Sequence, residues 1–456
     1  MNNNMKQTNS GSTAASDWRV TLGARATGGT AIAPPSKSVS HRMLICAALA
    51  DGVSELSGLA FSEDILATMD VLSALGARFD VADGEDAERT VRVQGCGGAI
   101  RPDGGALACR ESGSTLRFVI PLCLLSDAPR TLRGSARLLS RPLQAYQSLF
   151  PERFGACTVT ERDGGTLCLH GGNVLDGREY QLPGDISSQF ISGLLFALPL
   201  CRGEDSRIVL TTPPESRPYI DLTLDALHRF GVRASWENET TLYVPAGQSY
   251  RPYDGRVEGD ASNAAFFDAL NYFGGAVEVT GLRPDSLQGD RVFSALFAQI
   301  AAPRKEDDPL PTFDLADCPD LAPVLFTVAA ERGGACFTHT DRLRIKECDR
   351  IAAMQRELAK FGARIEAIDG GQTPEATAVG GIVRVLPTKL HPPGELLCGH
   401  TDHRVVMSLA VAATKYGGTI GGAQAVKKSF PDFFERLEAL GADVGREDAS
   451  GGQGAV

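Results

Sequence analysis

Asp402-His403-Arg404, Arg344-Ile345-Lys346-Glu347-Cys348-Asp349-Arg350 and Pro35-Ser36-Lys37-Ser38-Val39-Ser40-His41-Arg42 are short segments far apart in the chain. Each sets Arg or Lys beside an acid or a hydroxyl. The chain as a whole carries a formal net charge of -11. Cationic clusters inside an acidic protein point to a small polyanion held in a pocket, because fixed charge lining a cleft decides which ions it concentrates. A nucleic-acid surface would show as an excess of basic residues across a domain, so nucleic acid is not an expected partner.

Six or more segments repeat this layout of a polar, cationic start to a helix. Lys37, Ser38 and Arg42 follow two prolines and precede the apolar run 43–50. Ser36 or Ser38 can cap that helix, which places backbone N–H groups and a Lys at its positive end and makes an anion seat. Glu111-Ser112-Gly113-Ser114-Thr115-Leu116-Arg117 leads into the apolar run 118–125. There Gly113 admits a ligand close to the backbone, and Ser114 or Thr115 can cap. Arg137 and Arg141 follow, with Pro142 after the second. Gly184-Asp185-Ile186-Ser187-Ser188-Gln189 sets adjacent hydroxyls before the run 190–200, a pattern that suits a phosphate. Ser216-Arg217-Pro218-Tyr219 offers a hydroxyl, a cation and an aromatic plate. Asp320 opens an apolar helix, Lys346 and Arg350 read as one helical turn apart beside Glu347, and Lys427-Lys428-Ser429-Phe430-Pro431 closes the series. Capping alone accounts for any one of these, but not for all of them together. Two decoys fall away. Gly422 to Ser429 nearly spells a Walker A loop, but Lys427 stands where the second glycine must turn it. His400-x-x-His403 lacks a third ligand cluster, so no metal is expected.

A repeated unit must position these segments. An amphipathic stretch ending in Leu-Gly-Ala, Phe-Gly-Ala or Phe-Gly-Val, followed by an alternating apolar run, recurs around Gly76, Gly155, Gly231, Gly362 and Gly441. Each reads as a helix closed by a left-handed glycine that turns straight into a strand. The long gap between Gly231 and Gly362 leaves room for one more, degenerate unit with its helix near 291–300. The expected fold class is therefore α/β, with six units, three before about residue 257 and three after. A doubly wound sheet is the alternative, but no Rossmann fingerprint is present. The expected domains are 36–257, and 17–35 together with 258–448. The chain would cross near 33–35 and again near 257–262.

The 456 residues are long for one core, and 43% apolar with 22% charged is ordinary globular composition. No apolar run approaches the roughly 20 residues of a membrane span, so no membrane is expected. Residues 1–16 lack the apolar core of a signal peptide and read as a disordered lead-in, and 449–456 as a frayed tail. Eleven scattered cysteines without a C-x-x-C pair read as free thiols in a reducing cytoplasm.

Taken in order, Ser36-Lys37-Ser38, Ser112-Gly113-Ser114, Arg141-Pro142, Ser187-Ser188-Gln189, Arg217-Pro218-Tyr219, Lys346-Glu347-x-x-Arg350, Asp402-His403-Arg404 and Lys428-Ser429-Phe430-Pro431 resemble the motif set of the 5-enolpyruvylshikimate-3-phosphate synthase family. The resemblance runs from about residue 17 to 446. It implies two inside-out α/β domains, each of three βαβαββ-type units, closing on substrates in the cleft between them. It implies that Lys37, Ser38 and Arg42 hold the carboxylate side of shikimate-3-phosphate, and Ser187, Ser188 and Ser216 its phosphate. Gln189 and Tyr219 would lie along the ring, with Asp320 and Lys346 at the ring hydroxyls. Lys37, Gly113, Arg141, Gln189, Arg350, Arg404 and Lys428 would surround phosphoenolpyruvate.

The implied reaction is addition and elimination through a tetrahedral intermediate, without metal or cofactor, by a monomer. It needs one group to take a hydroxyl proton and another to deliver and remove a carbon proton. Asp320 and Glu347 are the candidates, in that order, with Lys37 as a partner in either step. Glu111 departs from the Asn that many family members carry there; it could weaken anion binding or pair with Arg117. Gly113 keeps room beside the enolpyruvyl pocket, which implies inhibition by glyphosate. The rivals are the sister enolpyruvyl transferase acting on UDP-N-acetylglucosamine and a non-catalytic anion-binding scaffold. The first typically has Lys-Asn where this chain has Lys37-Ser38 and uses a loop cysteine not found here. The second has no use for acids beside a polyanion.

Overall fold

The computed structural model describes residues 18–83, 88–101, 105–160, 164–305 and 308–447, so the two expected disordered ends lie outside the described residues. Helices and strands alternate along the chain in an α/β fold. The local logic is visible in helix Glu63–Leu75. Ser62 accepts from the Ile65 N–H, Glu63 and Asp64 occupy the positive first turn, and Gly76 closes the helix at φ 124°. Strand Arg78–Asp83 follows at once. Helix Arg350–Ala359 repeats the plan: Asp349 caps Ala352, Gly362 turns at φ 90°, and strand Arg364–Ile368 begins. Gly231 and Gly441 also have positive φ. Gly155 does not follow the expectation. Helix Gln144–Leu149 has already ended and Pro151 intervenes, so Gly155 lies within strand Phe154–Thr160. A Cβ there would meet the ring of the exposed His170, with Nε2 at 2.7 Å, so a larger residue would have to turn that ring aside.

The described strands form five four-stranded sheets and one two-stranded sheet. All five larger sheets share one pattern: a parallel pair at one edge, then two antiparallel pairings. The smaller sheet pairs Gly28–Ile32 with Ala276–Thr280 in parallel. Helix Phe293–Ile300 lies in the long gap between the regular repeats. Strand Arg19–Gly23 sits between Gly418–Gly421 and Asp443–Glu447, so the start of the described chain is built into its far end.

Buried apolar residues fall into two clusters. One runs from Met43 to Val257; the other takes Val20 to Ala33 together with Ala261 to Ala442. Within them, helices Ser188–Ala197, Ala322–Glu331 and His403–Tyr416 are buried nearly all round, whereas strands such as Glu179–Leu182 alternate exposed and buried residues. A helix apolar on every side belongs inside, and a strand alternating by twos belongs on a wall. These three helices thus lie in the interior, and their polar ends become the places where ligands can be met. Among the described residues no helix is long and apolar enough to cross a membrane.

Candidate active site

One cavity is lined by residues between 37 and 219 and between 319 and 404, and six helix starts reach it. These are Lys37 and Ser38, Gly113 and Ser114, Ser188 and Gln189, Tyr219, Arg350, and His403 with Arg404. Each helix N-terminus carries about half a positive charge. Eight cationic and three acidic side chains line the same space, so its field favours an anion with more than one charge. Arg42, Arg141, Ser187, Ser216, Asp320, Lys346 and Glu347 also face it.

On one wall, Ser36 caps the first helix by accepting from Val39 N–H, and Lys37 Nζ donates to Asp64 at 2.8 Å. Arg42 donates to Thr223 Oγ1, to the Ser38 carbonyl and to the Tyr219 carbonyl at 2.7–2.8 Å. Burial lowers its pKa to about 10, so it remains a cation at neutral pH. Ser112, not Ser114 or Thr115, caps the helix at Gly113, which leaves Ser114 free to accept from Gln189 Nε2 at 3.0 Å. Arg117 holds the other end of that amide at 2.7 Å. Gln189 is therefore fixed between two partners. Ser187 caps its own helix through Gln189 N–H. Ser216 sits at φ 59° and accepts from Arg342 Nη1 at 2.8 Å. Tyr219 Oη donates to Asp290, whose carboxyl burial and the nearby Asp320 charge push up to about 7.

The other wall is organised by Arg350, which is 1% exposed. It donates through Nε to Asp402, through Nη1 to Asp320 and through Nη2 to Glu347, each at 2.8 Å. Asp320 also receives Arg404 at 3.1 Å and Lys346 at 3.5 Å. Arg141 reaches Glu347 at 3.5 Å from across the cleft, and Arg137 donates to the carbonyls of Lys346 and Glu347. Burial opposes ionisation of Asp320, but Arg404, Lys346 and Arg350 outweigh it and hold the carboxyl well below its usual range. Burial likewise opposes ionisation of Glu347, and Arg350 and Arg141 outweigh it. Both are carboxylates at rest. Burial lowers the Lys346 pKa and, more strongly, that of His403, which stays neutral with both ring nitrogens unpartnered at the cavity.

Several sequence expectations need correction. Asp320 caps nothing: it lies in the short turn Pro319–Leu321, and the helix after it has no side-chain cap, which leaves its carboxylate to the cavity. Lys346 and Arg350 do not share a helix. Lys346 ends the turn Asp341–Ile345 in extended conformation, and Asp349 starts the next helix. Lys428 closes a 3-10 turn, Ala423–Lys428, rather than opening a helix, and is absent from the cavity lining. Glu111 pairs with Lys428, not with Arg117. Arg342, Asp64 and the central role of Asp402 were not anticipated, because each depends on a partner distant in sequence.

Residues 23–437 match the family described as EPSP synthase (3-phosphoshikimate 1-carboxyvinyltransferase). The chain belongs to the EPSP synthase family. It is 38% identical over 424 residues to the 3-phosphoshikimate 1-carboxyvinyltransferase of Clostridium perfringens, covering 90% of this chain and 95% of that one. The Clostridium novyi enzyme is 36% identical over 428 residues, with coverage of 90% and 94%. Among solved structures, the EPSP synthase of Acinetobacter baumannii superposes with a TM-score of 0.70 at 24% identity, over 95% of this chain and all of that one. The enolpyruvyl transferase NikO of Streptomyces tendae gives 0.70 at 16% identity, covering 95% and 99%. These two likenesses carry the fold.

Proposed function

We propose that this protein transfers the enolpyruvyl group of phosphoenolpyruvate to the 5-hydroxyl of shikimate-3-phosphate and releases phosphate. The observation that carries the reading is the ionised pair Asp320 and Glu347, held by Arg350 within a cavity of eight cations and six helix starts. Binding alone would gain nothing from carboxylates beside a polyanion; proton transfer requires them. Ser187, Ser188 and Ser216, with Arg342 beside Ser216, form the seat for the 3-phosphate. Lys37, Ser38 and Arg42 take the shikimate carboxylate side, Gln189 and Tyr219 lie along the ring, and Asp320 and Lys346 meet its hydroxyls. Arg141, Arg350, Arg404 and the open backbone at Gly113 surround phosphoenolpyruvate, with Lys37 and Gln189 at its edge.

The 5-hydroxyl oxygen bonds to C2 of phosphoenolpyruvate while its proton passes to Asp320 and a proton is delivered to C3. Glu347 is ionised at rest, so that first delivery falls to an ammonium facing the same cavity, Lys37. The tetrahedral intermediate then loses a C3 proton to Glu347 and expels phosphate, which leaves with the proton held by Asp320 while the surrounding cations stabilise its charge, and the proton on Glu347 returns to Lys37. No step calls on a metal or cofactor.

The same reading takes the chain as two inside-out domains of three βαβαββ-type units, 36–257 and 17–35 with 258–448. The two apolar clusters and the enclosed helices support it. The reading takes the protein as a monomer, and eleven scattered cysteines without a C-x-x-C pair suit a reducing cytoplasm. The deciding experiment is phosphate release with shikimate-3-phosphate plus phosphoenolpyruvate, run beside UDP-N-acetylglucosamine plus phosphoenolpyruvate. Release with the first alone is expected. Release only with the sugar nucleotide moves the activity to the sister reaction, and silence in both leaves a binding scaffold.

A further inference from the structure

Lys428 is the cation of the expected phosphoenolpyruvate set that does not face the cavity. Its ammonium donates to the Thr401 carbonyl at 2.7 Å and is paired with the carboxylate of Glu111. The partners come from opposite walls. Glu111 lies between Cys109 and Leu116 of one apolar cluster, and Lys428 between Val426 and Phe430 of the other. The backbone around Glu111 is fixed on both sides: Arg110 sits in the left-handed region at φ 50°, and Ser112 caps the helix that starts at Gly113. The Lys428 side chain is 12% exposed and that of Glu111 45%, so the carboxylate reaches in from the rim over a mostly covered ammonium. The carboxylates behind Lys428, Glu347 and Asp402, are both engaged by Arg350.

We infer that Glu111 is an affinity-tuning residue: an internal carboxylate that occupies Lys428 in the place of the anionic co-substrate. The inference rests on the reading of this cavity as the phosphoenolpyruvate site. An arriving phosphoenolpyruvate carries two anionic groups and must break the pair before Lys428 can turn to it. A half-exposed ion pair is weak, a factor of about two to five in an equilibrium. It therefore tunes affinity for the anion without blocking turnover.

The test compares wild type with Glu111→Gln, which removes the charge and keeps the shape, and Glu111→Asp, which keeps the charge and withdraws it by one methylene. Wild type is assayed first for phosphate release from shikimate-3-phosphate and phosphoenolpyruvate. Failure there defeats the functional reading, whatever Glu111 does. With turnover in hand, kcat and both KM values are measured for all three proteins, together with inhibition by inorganic phosphate. The expected result for Glu111→Gln is a KM for phosphoenolpyruvate about two- to five-fold lower, and phosphate inhibition stronger in the same ratio. The KM for shikimate-3-phosphate, a control that a general loosening of the fold would move, should stay within about two-fold. Glu111→Asp should fall between, and it carries the test if the Gln variant fails to fold by thermal melting. An unchanged or raised KM for phosphoenolpyruvate, or equal shifts in both KM values, overturns the inference.

Discussion

Replacing Arg350 by Lys removes two of the three arms that hold Asp320, Glu347 and Asp402 together, because one ammonium cannot match a fork that reaches all three. A hydrogen bond to a charged group contributes about 1.5–3 kcal/mol, so two lost arms amount to roughly 3–6 kcal/mol. Part of that is recovered. Arg404 and Lys346 still reach Asp320, and Arg141 still reaches Glu347. Asp402 keeps the Arg404 backbone N–H at 2.8 Å and the Cys348 thiol at 3.6 Å, and it is fully buried. The expected loss is therefore near the lower end, about 3 kcal/mol, the scale seen when a buried ion pair is broken. Urea denaturation at neutral pH measures it. The pH dependence gives a second readout. The folded carboxyls are held below their unfolded values, so their stabilisation is complete above the unfolded range, near 4, and is lost as pH falls through the folded values. In the Lys variant the folded values move back up, so the gap between the proteins should be widest at neutral pH and narrow in acid. The acid side of the activity profile should also move to higher pH. A variant as stable as wild type, or a gap that stays constant from neutral to acid pH, would refute the account of Arg350 as a charge hub.

Glu347→Gln should leave shikimate-3-phosphate binding nearly intact and lower turnover by at least about two orders of magnitude; near-normal phosphate release would remove Glu347 from the proton transfer. Glyphosate should inhibit the wild type, and Gly113→Ala should relieve that inhibition. Its added Cβ falls 2.5 Å from Arg141 Nη1 and must push the guanidinium aside, so an unchanged inhibition constant would contradict the placement. Asp290 has the opposite sign from the hub carboxyls. Its folded pKa is raised to about 7, so as pH rises above the usual carboxyl range its burial costs stability. Asp290→Asn should therefore raise the denaturation midpoint more at pH 7 than at pH 4, and equal shifts at both would count against a strained carboxyl.

The features legible in the sequence were those decided within a few residues. A hydroxyl ahead of an apolar run is a local statement, and Ser36 and Ser187 cap as their neighbours dictate. The same locality misled at Gly155, where the tripeptide matches the helix-ending motif but the preceding helix had stopped short. Lys346 and Arg350 have helical spacing, yet Asp349 between them starts a new helix. Which side chain a cation holds was not legible, because Lys428 and Glu111 or Arg342 and Ser216 meet only through the closed tertiary structure. Motif order supplied the membership of the site; long-range packing supplied the pairings and hence the charge states.

Strand Arg19–Gly23 has both of its neighbours near the other end of the chain, and Thr21 bonds Thr419 across 398 residues of sequence. On a ribosome adding about 5–20 residues per second, this strand waits roughly 20–80 seconds for its first partner. During that time Val20 and Leu22, both buried in the finished protein, have no sheet to join. Any chain released before residue 418 keeps the strand bare on both edges, open to pairing with another nascent chain. The topology thus leaves this strand unsealed until residues 418–421 and 443–447 have been made, some four hundred residues after it.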